Sequence, residues 1–273
     1  MTERYAFILS DRTGITAETL GHSLLSQFPT ISFKTLALPF VDTHDKAADA
    51  VRQINETADR AGSRPLVFAT IIDDDIRGLL ASSRGVFFDL FDAFLDPLER
   101  ELGVASAHSV GRSHGMVDPV KYTSRISAVN YSMRTDDGVH LEDYDRAAVI
   151  VVGVSRTGKT PASLYLALHF GTFAANYPLT EDDLERGRLP ARLLKFRAKL
   201  FGLTIDPERL HQIRNERISR GRYAEARQCK YEVAAAEAMF RRDRIPYIDT
   251  STMSIEEIAT TILQRANLRR DLL

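Results

Sequence analysis

Residues 153–160, Gly153-Val154-Ser155-Arg156-Thr157-Gly158-Lys159-Thr160, satisfy the pattern G-x-x-x-x-G-K-S/T at every defined position. The pattern needs a buried strand before it and a helix after it. The loop curls its backbone N–H groups around a polyphosphate, and the helix N-terminus adds positive potential. Both flanks have the right character. Residues 147–152 form an unbroken apolar run, and residues 160–170 have helical spacing. Within such a loop Lys159 reaches a terminal phosphate, and the Thr160 hydroxyl is placed to ligate Mg²⁺. The alternative, a chance glycine-rich turn, does not require the strand.

Upstream of the loop, strands and helices alternate. Residues 5–9 read as a buried strand and residues 10–14 as a polar turn. Residues 15–28 carry Ile15, Leu20, Leu24, Leu25 and Phe28 at helical spacing. Strands are expected at 33–38, 66–72 and 86–88. Helices are expected at 43–61, with Thr43 as N-cap, and at 92–102. This βαβα order argues for a parallel sheet covered by helices. Residues 103–115 read as a loop, 122–133 as helical and 136–138 as a turn. Composition suggests a boundary near 140, giving an N-terminal α/β domain at 1–140 and a P-loop nucleotide-binding domain at 141–273. The fold class is α/β, a parallel-sheet unit followed by a P-loop, kinase-like α/β unit. In the second domain, strands are expected at 147–152, 173–176, 200–205 and 245–248. Helices follow Pro207, cover 223–242, and open at the capping box begun by Ser254 and closed by Glu257.

Bulk properties narrow the function. The chain has 273 residues with 44% hydrophobic and 27% charged, an ordinary globular balance. A formal net charge of -1 gives no bulk field for nucleic acid or anionic lipid. Cys229 is the single cysteine, so no internal disulfide forms. No apolar run reaches membrane-spanning length. Met1-Thr2-Glu3-Arg4 leads into an apolar run without the pattern of a signal peptide, so the cytoplasm is the expected compartment.

Other candidates each carry two readings. Asp206 could be the acidic Mg²⁺ ligand or, before Pro207, a helix N-cap; both residues fit the cap. Arg214, Arg217 and Arg220, with Arg222 nearby, could clamp a transferring phosphoryl group or form a solvated basic face. Asp11 follows the first strand, at the end of a sheet where open α/β folds bind ligands; it is a catalytic-base candidate or a cap. Ser10, Thr13 and Gly14 beside it could bind phosphate. Asp137 is a second base candidate or a turn residue. His108 and His114 have no partner at metal-ligand spacing. Cys229 falls among apolar neighbours and reads as packing.

Extended through Pro161-Ala162-Ser163-Leu164-Tyr165-Leu166-Ala167, the P-loop resembles that of the bacterial and plant pyruvate, phosphate dikinase regulatory protein family. So do Ser10-Asp11-Arg12-Thr13-Gly14-Ile15-Thr16-Ala17-Glu18, Ala175-Asn176-Tyr177-Pro178-Leu179, Phe201-Gly202-Leu203-Thr204 and Ser254-Ile255-Glu256-Glu257-Ile258-Ala259. These segments span nearly the whole chain. Arg222-Tyr223-Ala224, Arg227-Gln228-Cys229-Lys230-Tyr231-Glu232-Val233 and Ile248-Asp249-Thr250-Ser251-Thr252 resemble the branch that regulates phosphoenolpyruvate synthetase. The resemblance implies a bifunctional protein serine/threonine kinase and pyrophosphorylase. It would move the β-phosphate of ADP to a target threonine, with Mg²⁺, and reverse this with inorganic phosphate, releasing pyrophosphate. The expected partner is phosphoenolpyruvate synthetase, with pyruvate, phosphate dikinase as the alternative. The residues leave open a homo-oligomer, an ATP-dependent small-molecule kinase, and a non-catalytic nucleotide sensor.

Overall fold

In a computed structural model, residues 3–107, 119–217 and 222–268 are described. His108, His114 and Arg220 lie outside them. The chain divides into two compact units, Met1–Gly115 and Met116–Leu273. Each contains one four-stranded, all-parallel sheet with helices between its strands, the expected α/β class.

The first unit runs β1 (Glu3–Ser10), α1 (Ile15–Leu25), β2 (Ser32–Leu38), α2 (His44–Ala61), β3 (Leu66–Thr70), α3 (Asp74–Ala81), β4 (Val86–Asp89) and α4 (Asp92–Leu102), in sheet order β2-β1-β3-β4. Phe7 and Leu9 pack with Ile54, Val67 and Leu80 on one face of the sheet. Ala6 and Ile8 pack with Ala17, Leu25 and Phe68 on the other. A central parallel strand is buried on both faces, and this is why residues 5–9 are apolar without alternation. The Thr43 side chain accepts the Lys46 N–H at 3.4 Å, the expected cap of α2. Helix α3 is absent from the sequence reading. It buries only Ile76 and Leu80, too few positions for a period, and Asp73 starts it by accepting the N–H groups of Asp75 and Ile76 at 3.0 Å each.

The second unit runs α5 (Pro119–Arg134), β5 (Val149–Gly153), α6 (Lys159–Phe170), β6 (Ala174–Pro178), α7 (Glu181–Glu185), β7 (Leu200–Thr204), α8 (Pro207–Arg217), α9 (Ala226–Arg242), β8 (Tyr247–Asp249) and α10 (Ile255–Arg265). Its sheet order, β6-β5-β7-β8, repeats that of the first unit. From β5 the chain crosses to one side to form β6 and returns to the other to form β7. The end of β5 is therefore the point where open α/β sheets bind ligands.

The structural division precedes residue 140 because α5 and the polar stretch after it are built into the second unit. Ser132 Oγ donates to Ala174 O at 2.6 Å, and Tyr131 Oη to Asp143 O at 3.0 Å. Tyr144 Oη donates to Asn176 O at 2.6 Å. Tyr131 and Tyr144 belong to the core that covers one face of the sheet. The charged sequence at 136–146 resembles a linker but forms two 3₁₀ turns, Asp136–Gly138 and Leu141–Arg146. Among the described residues no helix is long and apolar enough to cross a membrane.

Candidate phosphate-binding site

The P-loop leaves the end of β5, a strand buried at every position. A side chain at Gly153 would put its Cβ 2.4 Å from Leu203 O and 2.9 Å from Thr157 Oγ1, so only glycine lets β5 and β7 close beneath the loop. Gly158, at φ 88°, turns the chain into α6 without a side-chain cap. The first N–H groups of that helix stay available to an anion. Arg156 also has a positive φ of 78°, a conformation that a residue with a Cβ adopts only under external restraint.

The restraint is visible in the hydrogen bonds. Thr157 Oγ1 donates to Val154 O at 3.0 Å, and Thr250 Oγ1 donates to Thr157 O at 3.2 Å. Ser155 Oγ pairs with Tyr223 Oη at 2.9 Å. Arg214 has no exposed side-chain surface and donates to Ser155 O at 3.2 Å, Tyr223 O at 2.9 Å and Glu232 Oε2 at 2.6 Å. Its guanidinium also lies over the Tyr223 ring, 4.2 Å from the centroid. Arg214 is therefore a buried strut behind the loop, and of the two readings for the arginine-rich helix neither describes it. Arg217 is exposed, and Arg222 is an exposed partner of Glu181 at 3.0 Å.

Lys159 is buried and its Nζ donates to Val154 O at 2.8 Å. Burial pushes its pKa down to about 8, against the opposing pull of the Asp137 and Asp136 carboxylates. The site thus holds a desolvated amine whose charged form an anion placed beside it would stabilise.

Thr160 Oγ1 donates to Asp136 Oδ1 at 2.9 Å. Asn176 Nδ2 donates to the same carboxylate oxygen, and Asn176 Oδ1 accepts the Asp137 N–H at 3.1 Å. Asn176, buried on β6, thereby fixes the 136–138 turn beside the loop. A threonine hydroxyl and a carboxylate oxygen side by side are the hard donors that Mg²⁺ accepts in a phosphate site. The sequence reading offers Asp206 as the acidic ligand and Asp137 as a base, and leaves Asp136 as part of a turn. The signal that could have found it is the acidic pair ahead of the P-loop strand. Asp206 is an N-cap: its Oδ1 accepts the N–H groups of Glu208 and Arg209 at 2.9 Å each.

Asp137 is exposed, at φ 51°, close enough to Lys159 to raise its pKa. Asp11 lies in the first unit, where its buried carboxylate accepts the Ile72 N–H at 3.2 Å; burial raises its pKa. Cys229 is fully buried in the core of the second unit.

Comparison with known proteins finds relatives that match along the whole chain. Several relatives carry the name "Putative phosphoenolpyruvate synthase regulatory protein". One from Halorhodospira halophila is 57% identical over 268 residues, 98% of either chain. One from Alkalilimnicola ehrlichii is 54% identical over 274 residues, 100% of either chain. One from Bordetella parapertussis is 53% identical over 268 residues, again 98% of either chain. The family model described as "Kinase/pyrophosphorylase" matches residues 6–263, from β1 through α10. The chain belongs to the kinase/pyrophosphorylase family.

Proposed function

We propose that this protein is a bifunctional regulator of phosphoenolpyruvate synthetase. In one direction it phosphorylates a target threonine with ADP as donor; in the other it removes that phosphate with inorganic phosphate. Family membership and the relatives' names support the target and the pair of activities. The observation that carries the chemistry is the convergence of Lys159, Thr160 and Asp136 at a loop shaped for polyphosphate.

In the forward direction the threonine oxygen attacks the β-phosphorus of ADP. The bridging P–O bond to the α-phosphate breaks and AMP leaves. In reverse, a phosphate oxygen attacks phosphothreonine, the P–O bond to threonine breaks, and pyrophosphate leaves while the threonine oxygen regains a proton. Both are phosphoryl transfers that depend on positioning and on neutralising charge. Lys159 and the N–H groups of α6 supply the neutralisation from the protein. Thr160 and Asp136 would hold Mg²⁺, which when bound offsets charge on the phosphate oxygens. Asp136 is engaged by Thr160 and Asn176, so the neighbouring Asp137 is the carboxylate assigned to take the threonine proton.

The test uses purified protein, Mg²⁺, phosphoenolpyruvate synthetase and ADP labelled on its β-phosphate. Label on a target threonine, lost with Lys159→Ala, supports the kinase direction; pyrophosphate on adding phosphate supports the reverse. Label only from γ-labelled ATP would overturn the donor. Transfer to pyruvate, phosphate dikinase alone would overturn the target.

A further inference from the structure

A cavity of about 740 Å³ lies on one face of the first unit's sheet, between α1 and α4, a volume ordinary for a small-molecule pocket. Its floor is the face that carries Ala6, Ile8 and Phe68. There the Phe68 ring of β3 stacks on Phe88 of β4, with centroids 5.1 Å apart. Leu24 of α1 and Phe28 just beyond that helix form one wall, and Ala93 and Phe94 of α4 the other. The space stays open because α4 buries none of its own residues. Phe28 is 55% exposed and Phe94 60%, so both walls present apolar rings to water. A contiguous apolar surface of this kind marks a binding site.

Two charged side chains line the cavity, Arg4 and Asp89. Strand register separates them. Asp89 pairs with Ala69 and Ala69 with Leu9, five residues beyond Arg4 on β1, a distance of about 16 Å. Asp89 is committed: its Oδ1 accepts the N–H groups of Phe91 and Asp92 at 2.9 and 3.0 Å, and its Oδ2 lies 3.4 Å from Arg77 Nε. Arg4 is not. Its Nη2 donates to Arg64 O at 2.9 Å, but its Nε is buried without an acceptor, and among the described residues no carboxylate pairs with it. A buried donor on a cation is costly to leave unpaired. The cavity therefore combines a long apolar body with one open cationic donor at its end. Its complement is an apolar chain that ends in an anion. An extended chain advances about 1.2 Å per bond, so about twelve carbons reach from Arg4 to the level of Asp89.

We propose that this cavity binds a linear aliphatic carboxylate, with its chain over Phe68 and Phe88 and its carboxylate accepting the Arg4 Nε–H. The proposal does not depend on the reading of the P-loop.

The test titrates the full chain with dodecanoate, below its micelle concentration and at neutral pH, by calorimetry. Saturable binding of one molecule per chain is expected. Dodecanol, uncharged on the same chain, should bind at least about tenfold more weakly, the loss of one hydrogen bond between charged groups. Arg4→Met keeps the aliphatic stem and should abolish that preference, whereas Arg4→Lys retains the charge and should preserve it. Ala93→Trp, on the exposed helix α4, should fill the cavity and weaken both ligands. Dodecanol that binds the unaltered protein as tightly as dodecanoate would overturn the proposal without recourse to any variant. So would uptake of many molecules without saturation, the mark of a general apolar surface. A chain that ignores dodecanoate but self-associates in sedimentation, and loses that association with Phe94→Ser, would assign the face to a second copy instead.

Discussion

Thr160 on α6 donates its hydroxyl to Asp136, a residue that precedes the P-loop strand in sequence. The acidic partner of the P-loop hydroxyl thus arrives from the turn before β5, held there by Asn176 on β6. The first prediction follows from that arrangement. Asp136→Asn removes the charge and keeps the shape. Its Mg²⁺ requirement for phosphoryl transfer should rise by about 100-fold, with little change in thermal midpoint. Titrating activity with Mg²⁺ checks it; an unchanged requirement would remove Asp136 from the metal site.

Lys159 carries a pH signature. Its folded pKa is about 8, below the ordinary 10.5, because burial disfavours the ammonium. Between those values the unfolded chain holds a proton that the folded chain has released. Stability of the ligand-free protein therefore rises with pH through this window, and the penalty of burying the charge is complete below it. A bound polyphosphate reverses the preference. Above about pH 8, ADP should bind with proton uptake and lose about tenfold in affinity per pH unit. Calorimetry in two buffers of different ionisation enthalpy reads the uptake directly.

Arg214 tests the support behind the loop. Truncation to alanine leaves Glu232 partly buried without its partner and frees the Ser155 carbonyl. A loss of about 3–5 kcal/mol from the second unit is expected. Denaturant unfolding followed through that unit measures it. Nucleotide affinity should fall in the same variant at temperatures where it remains folded.

The two P-loop glycines should differ. Gly158→Ala makes only ordinary van der Waals contacts, with Ile258 Cδ1 at 3.6 Å and Ile255 Cδ1 at 4.0 Å, and suffers chiefly from its left-handed backbone, about 1–2 kcal/mol. Gly153→Ala drives a methyl into Leu203 O, on the backbone of the neighbouring strand. The second should be the more damaging to stability, a ranking that parallel thermal melts of both proteins would settle.

Much of this was readable from the chain. The continuous apolar runs mark β1 and β5 because central parallel strands are buried on both faces. Thr43 and Ser254 cap where local sequence says they should, since a cap is a contact within one turn. The loop at 153–160 needs only consecutive residues. What escaped depends on distant partners. Asp136 matters through Thr160 and Asn176, and Arg214 through Ser155 and Glu232. In sequence Arg214 is one of several regularly spaced arginines, and nothing local tells the buried one from Arg217. The stretch 136–146 is polar enough to suggest a linker, yet Tyr144 within it is wholly buried.

The place of Asp136 has a consequence for dissecting the protein. A fragment starting at Leu141 would contain the entire Gly153–Thr160 motif and pass any pattern search. It would lack the carboxylate that meets Thr160 and the α5 tyrosine and serine that anchor to the sheet region. Grafting or truncation that respects only the motif would therefore transfer the loop without its Asp136 partner, whereas the contiguous segment from α5 through β6 carries the loop, Asp136 and the Asn176 that holds it.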